Sequence, residues 1–239
     1  MTFRMTSPYF YFSPLASVAK EFALDEKASR HIVQALRMKA GEELRLTDGK
    51  GLSTLVSIRD ANKKKCLVTL VEKLKQETPK RRIQIGLSLL KNTSRFEWFL
   101  EKATEIGISE IFPLKCARTE KQQFRMERMQ GILESAMIQS QQVWMPVIHE
   151  PKNFIFWMGN VQADQKFIAH CDPGAKRRLS EKVNTNLSSQ LILIGPEGDF
   201  TEEEINLALQ SRFIAVELGE NRLRSETAAV AAAAVLKLL

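Results

Sequence analysis

Apolar residues change their spacing along this chain. Over the first third they fall in short alternating runs, Leu44 to Thr47, Leu52 to Ile58 and Leu67 to Val71, separated by Asp48-Gly-Lys-Gly51 and Asp60-Ala-Asn-Lys63. A period of two broken by glycine, asparagine and aspartate predicts β-strands joined by tight turns. One helix interrupts them, Glu26 to Met38, capped by Asp25 and carrying Ala28, Ile32, Ala35 and Leu36 on one face. The stretch Leu74 to Arg82, with Pro79 and the basic Lys75, Lys80, Arg81 and Arg82, has the composition of a linker. Beyond it, strand-length apolar runs (Ile83 to Leu89, Glu110 to Leu114, Phe167 to Cys171, Leu191 to Ile194, Phe213 to Val216) alternate with helical patterns. Ser94 and Glu97 predict a capping box for a helix that buries Phe96, Phe99, Leu100 and Ala103 and ends near Gly107. A helix from Glu127 to Gln141 places Met129, Ile132, Leu133, Ala136 and Met137 on one stripe, and the alanine-rich Ala228 to Ala234 belongs to a last helix. The pattern therefore predicts a small β domain over residues 1–75 and, over 76–239, an α/β domain with a mainly parallel sheet covered by helices.

At 239 residues and 44% hydrophobic content the chain is large enough to bury a core in one domain or two. Residues 1–78 hold 14 Lys and Arg against 9 Asp and Glu, and the remainder 21 against 19, so most of the net +7 lies in the first third. A small basic β domain suits RNA, held through phosphates, shape and exposed bases. Arg30 and Arg37 on the helix and Lys63, Lys64 and Lys65 at a hairpin tip are the candidate phosphate contacts. Each lysine taken alone is more simply a solvated surface charge. No apolar run has membrane length and Met1 to Phe12 lacks the pattern of a signal peptide, so a soluble, cytoplasmic protein is expected. Cys66, Cys116 and Cys171 are widely spaced, and His31, His149 and His170 do not pair at ligand spacing. Neither disulfides nor a metal site is expected.

Chemistry concentrates in two loops, Gly195-Pro196-Glu197-Gly198 and Leu218 to Ala228, each after a strand and before a helix. That places both at strand C-terminal ends, where open α/β sheets bind ligands. Alone, Gly-Pro-Glu-Gly is more often a plain turn; the second loop makes a shared ligand site the better reading. Thr201 and Glu204 form a second capping box, and the carboxylates of Glu202, Glu203 and Glu204 in that first turn would repel a phosphate. Neither G-x-G-x-x-G nor G-x-x-x-x-G-K-[ST] occurs. A nucleotide-like cofactor without a phosphate tail fits this pair of loops.

The run L-I-G-P-E-G-D-F-T-x-x-E-I from Leu193, followed by L-G-x-x-x-L-R-S-E-T-A from Leu218, closely resembles the paired knot motifs of the SPOUT methyltransferases, and among them the RsmE-type family. Arg30 to Met38 with Gly41, and Lys102 to Ile108 with Pro113, extend the likeness over essentially the whole chain. The resemblance implies a C-terminal SPOUT trefoil-knot α/β domain and a smaller N-terminal PUA-like β-barrel. It also implies S-adenosyl-L-methionine as cofactor, methylation of uracil N3 in the decoding region of 16S ribosomal RNA of the small ribosomal subunit, and a homodimer paired through the last helix. It assigns cofactor binding to Ile194, Gly195, Pro196, Glu197, Gly198, Leu218, Gly219, Leu223, Arg224 and Thr227. The sequence departs from the family pattern at Ile138 and Gln142, where an acid and an arginine are usual, and at Asn221, with Arg222 beside it.

Methyl transfer to a ring nitrogen that carries a proton needs aligned atoms and a way to bear the charge left by that proton. Close backbone approach is the role expected of Gly195, Gly198 and Gly219. Arg224, and after it Arg222, would stabilise the charge on the ring carbonyls. Glu226 would orient Arg224, or favour the start of the last helix, or act as base. Two other readings remain open at this level: a knotted methyltransferase acting on a ribose 2′-hydroxyl or a transfer RNA base, and a non-catalytic RNA-binding protein of ribosome assembly.

Overall fold

The alternating runs of the first third pair into one sheet in the computed structural model, which describes residues 8–11, 15, 19–120, 123–172, 174 and 176–239. Strands β1 (Tyr9–Tyr11), β2 (Glu21–Ala23), β3 (Glu43–Thr47), β4 (Leu52–Asp60) and β5 (Leu67–Lys75) lie in the order β1-β3-β4-β5-β2. β3, β4 and β5 form an antiparallel meander, β2 is antiparallel to β5, and β1 is parallel to β3. Alternate residues Leu44, Leu46, Val56, Ile58 and Val68 supply a core completed by Ile32 and Cys66.

The helix of this unit is shorter than its sequence pattern. Asp25 caps α1 (Glu26–Arg30) as expected, its carboxylate accepting from the Ala28 amide at 2.8 Å. The chain then widens into one π-helical turn, His31–Ala35, and reaches Arg37 in a left-handed conformation. A π turn abandons the i, i+3, i+4 stripe. Ile32 consequently stays buried while Ala35 and Leu36 are exposed.

The compact units are Met1–Thr78 with Met137–Met145, and Pro79–Ala136 with Pro146–Leu239. The segment Met137–Met145 thus belongs with the β sheet, although sequence alone assigned it to the second domain. Gly51 donates to the Val143 carbonyl (2.8 Å), Met145 to the Gly49 carbonyl (2.9 Å), and Lys50 bridges Trp144. Gly51 has φ +91°, and a Cβ there would lie 2.3 Å from Cζ2 of Trp144. Gly51→Ala is therefore expected to destabilise this unit by about 3 kcal/mol, combining a left-handed backbone with overpacking. Denaturant unfolding followed by tryptophan fluorescence checks this, and an unchanged midpoint would contradict it.

In the second unit β6 (Arg82–Ser88), β7 (Glu110–Lys115), β8 (Val147–Ile148), β9 (Lys152–Asn153), β10 (Gln165–Ala169), β11 (Arg177–Arg178), β12 (Ser189–Ile194) and β13 (Ile214–Glu217) form one sheet in the order β11-β13-β10-β12-β6-β7-β8, with β9 also on β7. All neighbours are parallel. Helices α2 (Thr93–Ile106), α3 (Met126–Gln139), α4 (Phe154–Met158), α5 (Leu179–Lys182), α6 (Glu202–Gln210) and α7 (Ser225–Leu238) connect and cover the strands. The cap of α2 is Asn92 rather than Ser94: Ser94 already lies inside the helix and donates its amide to the Asn92 side chain, while Glu97 pairs with Arg128. α7 packs on α2, β6 and β12 through Ala229, Ala232, Ala233 and Leu236, where small side chains permit close approach. Among the described residues no helix is long and apolar enough to cross a membrane.

Candidate functional site

The site follows from strand order. β12 lies on one side of β10, and the chain then passes through α6 to β13 on the other side. Ala169 at the end of β10 is level with Ile194 of β12 and with Val216 of β13. The loops that begin at His170, Gly195 and Leu218 therefore emerge beside one another, at the kind of switch point where open parallel sheets take ligands. They enclose a cleft of about 740 Å³.

Of the residues singled out in sequence, Ile194, Gly195, Pro196, Glu197, Leu218, Gly219, Arg222, Leu223 and Arg224 line this cleft, together with Asn221. Gly195 is the crowded position of its loop, since a Cβ would meet the Phe200 amide nitrogen at 3.1 Å and the carbonyl carbon of Asp199 at 3.3 Å. Gly219 has nothing within 4 Å of such a Cβ; its constraint is φ +149°, not space. Gly198 lies outside the lining and faces the aliphatic stem of Arg118, an ordinary contact at 3.4 Å. Crowding thus accounts for Gly195 alone among the three glycines.

Arg224 and Arg222 are exposed, and among the described residues no acidic side chain pairs with either. Glu226 is 6% exposed and sits outside the cleft lining. Its carboxylate faces Arg95 of α2 at 3.6 Å, and its buried Oε2 has no hydrogen-bond partner among the described residues. Contact with Arg224, the first role expected for Glu226, is absent among the described residues. Arg224 is the cap residue before α7, with extended backbone, and Glu226 lies in the first helical turn, so Glu226 turns inward where Arg224 stays at the cleft. Thr227 is exposed and also lies off the lining.

The cleft walls are cross-tied. The Glu197 carboxylate accepts from the Lys91 amide at 3.1 Å, and Arg118 donates to the carbonyls of Gly198 (2.7 Å) and Phe200 (3.3 Å). The capping box of α6 forms as expected, and its buried Glu204 also accepts from the Ala117 amide at 2.8 Å, filling the helix end with negative charge. Sequence reading missed the third wall. His170, Cys171 and Lys176 line the cleft, with the Lys176 ammonium donating to the His170 and Asp172 carbonyls. The strand before them was legible, but its place between β12 and β13 was not.

Burial, and next the Lys176 ammonium, hold the His170 imidazole below the usual histidine range against the opposing charges of Asp199 and Asp172. Among the described residues its buried Nδ1 has no hydrogen-bond partner. Below about pH 6.5 the unfolded chain takes up a proton that folded His170 resists, so stability falls there and is unaffected above. Denaturant titrations between about pH 5 and 7.5 are expected to show that decline in the wild type and a flatter profile in His170→Gln. Equal slopes would contradict this.

In the first unit Lys63, Lys64 and Lys65 are exposed in the β4–β5 loop, where Asn62 accepts from the amides of Lys64 (2.9 Å) and Lys65 (3.3 Å). Arg30 is exposed but paired with Glu26; Arg37 is exposed.

Residues 76–237 match the family model of the RNA methyltransferase domain, and residues 24–71 that of the RNA methyltransferase PUA domain. A ribosomal RNA small subunit methyltransferase E from Synechocystis is 30% identical over 224 residues, 89% of this chain and 71% of that protein. The chain belongs to the ribosomal RNA small subunit methyltransferase E family. Among solved structures, a probable rRNA-methyltransferase from Porphyromonas gingivalis is 33% identical with a TM-score of 0.88, covering 97% of this chain and 98% of that one. The methyltransferase E of Neisseria gonorrhoeae, solved bound to S-adenosyl methionine, is 27% identical with a TM-score of 0.87 over 97% of each chain. The fold is that of this family, a PUA N-terminal unit followed by an α/β RNA methyltransferase domain with a parallel sheet.

Proposed function

We propose that this protein methylates N3 of a uracil in the decoding region of 16S ribosomal RNA, using S-adenosyl-L-methionine. The observation that carries the reading is the cleft itself: three level strand ends enclose it, and on its lining stand two arginines that no described acidic side chain pairs. Family membership and the cofactor bound to the Neisseria relative support it.

The residues fit that cofactor. Ile194, Pro196, Val216, Leu218, Leu223 and Ala228 offer apolar surface for an adenine, and Gly195 lets its loop fold closely on the Phe200 amide and ring, so that a side chain there would force this wall to shift. Glu197 supplies negative charge toward a cationic ligand, while Glu217 and Glu220 pair with Arg178. Glu204 occupies the start of α6, so the site lacks the helix-end cradle that a phosphate tail would need. S-adenosyl-L-methionine supplies the methyl group on a positively charged sulfonium. The chain supplies position and charge. As the uracil N3 proton leaves, negative charge spreads to the flanking carbonyl oxygens, where the Arg224 guanidinium, with Arg222 second, stabilises it. Glu226, bound toward Arg95, anchors the first turn of α7 and so fixes the backbone from which Arg224 projects.

The basic first unit holds the RNA through phosphates, with Lys63, Lys64 and Lys65 as contacts and Arg30 and Arg37 beside them in role. Pairing of two subunits through α7, whose Ala231, Ala234 and Val235 remain half-buried, and action in the cytoplasm on the small ribosomal subunit complete the reading. Reversing Lys63, Lys64 and Lys65 to glutamate is expected to weaken RNA binding and to lower the salt slope by about 0.7 to 0.9 for each phosphate no longer neutralised. Cofactor affinity stays fixed in that variant. An unchanged slope would return these lysines to plain surface. Transfer of labelled methyl to small subunits tests the activity; its absence in a protein that binds the cofactor would reject the proposed substrate.

A further inference from the structure

We infer that Asp199 is a positioning residue of the cofactor cleft: its carboxylate clasps the loop after β12 to the loop after β10 and thereby sets the wall that these two loops form. The inference rests on the cofactor reading above for its ligand, and on geometry for the clasp.

Asp199 has φ +62°, a left-handed backbone that glycine would adopt without strain. A side chain kept there calls for a compensating interaction, and two hydrogen bonds supply it. Oδ1 accepts from the Phe200 amide at 2.8 Å and Oδ2 from the Cys171 amide at 2.7 Å. Both bonds are charge-assisted, and the Cys171 thiol hydrogen-bonds the same carboxylate. The Asp199 amide in turn donates to the Pro196 carbonyl at 2.9 Å, closing the turn that carries Glu197 and Gly198.

The other flank of this loop is held independently by Lys91 and Arg118. On the β10 side, among the described residues, Asp199 ties the two loops through Cys171, holding its amide at 2.7 Å and hydrogen-bonding its thiol as well. The same peptide crowds Gly195 on the cleft lining, whose Cβ position is bounded by the Phe200 amide and the Asp199 carbonyl carbon. Releasing Asp199 would therefore move the atoms that shape the wall at Gly195.

Cys171 provides an internal reporter. Burial first, then the Asp199 charge and a hydrogen bond to the same carboxylate, push its thiol up, while Arg222 and Lys176 act in the opposite sense. Cys171 is exposed, whereas Cys66 and Cys116 are buried and the Cys116 thiol is pushed up to about 12. Alkylation of the native protein therefore reads Cys171.

The test compares the wild type with Asp199→Asn and Asp199→Gly. Asparagine keeps the size and tolerates the left-handed backbone but brings an NH₂ donor against one of two amide donors; glycine relieves the backbone and removes both bonds. Calorimetry with S-adenosyl-L-methionine is expected to show affinity weakened about tenfold or more in both variants, the loss of a charge-assisted bond. Alkylation of Cys171 at mildly alkaline pH is expected to quicken at least about threefold in both, since the thiolate forms more readily without the carboxylate. Circular dichroism controls for folding. Wild-type cofactor affinity in both variants would overturn the positioning role, and unchanged alkylation would overturn the clasp. A wild-type protein that fails to bind the cofactor, with alkylation still quickened in both variants, would overturn the cofactor reading and leave the clasp supported.

Discussion

Arg224→Ala is expected to lower methyl transfer about 100-fold or more while cofactor affinity and folding stay near wild type, the usual consequence of removing one preorganised stabiliser of developing charge. The structure separates those effects. Arg224 occupies the cap position of α7 through its backbone, its carbonyl accepting from the Ala228 amide at 2.7 Å, and its side chain makes no capping bond. Truncation therefore removes the guanidinium and leaves the helix start intact. Arg224→Lys keeps the charge but loses the planar fork, and should recover only part of the rate. Single-turnover transfer with saturating cofactor, beside calorimetry of cofactor binding, makes the measurement. Wild-type turnover in Arg224→Ala would reject the role and move attention to Arg222.

Gly195→Val is expected to abolish measurable cofactor binding while leaving the RNA affinity of the protein unchanged. The Cβ alone would stand 3.1 Å from the Phe200 amide nitrogen and 3.2 Å from the Phe200 ring, and both are held in place, the amide by Asp199 and the ring by the core of the second unit. The added methyl groups must then push into that core or into the cleft. Gly219→Ala should also weaken binding, but through a strained backbone of about 1 to 3 kcal/mol and not through reduced space. Calorimetry distinguishes the two positions: unchanged affinity in Gly195→Val would place the cofactor elsewhere.

Much of this architecture is written in local patterns. The strands ending at Thr47, Ile194 and Glu217 are visible as apolar runs, and the Thr201–Glu204 capping box forms as the spacing requires, because caps and strands depend on residues close in sequence. The cap of α2 falls two residues before Ser94 since Asn92, Thr93 and Ser94 all have cap-forming side chains, and only the backbone chooses among them. The helix after Asp25 ends earlier than its apolar spacing, which continues through Leu36, because the backbone widens into a π turn. Non-local features were invisible. Gly51 reads as a turn glycine, yet its neighbour is Trp144, 93 positions away. Likewise the two cleft loops are legible as motifs, but the wall at His170, Cys171 and Lys176 depends on β10 lying between strands that follow it in sequence. Glu226 illustrates the same limit at short range: the motif puts it two residues from Arg224, and the packing of α7 against α2 turns it toward Arg95.

The most direct test is mass-spectrometric mapping of methylated nucleosides after incubating the purified protein with labelled S-adenosyl-L-methionine and small ribosomal subunits that lack methylation at the candidate positions. N3-methyluridine at a single position of the decoding region is the expected result. Label on a ribose 2′-hydroxyl or on another base, or no label from a protein that binds the cofactor, would contradict it.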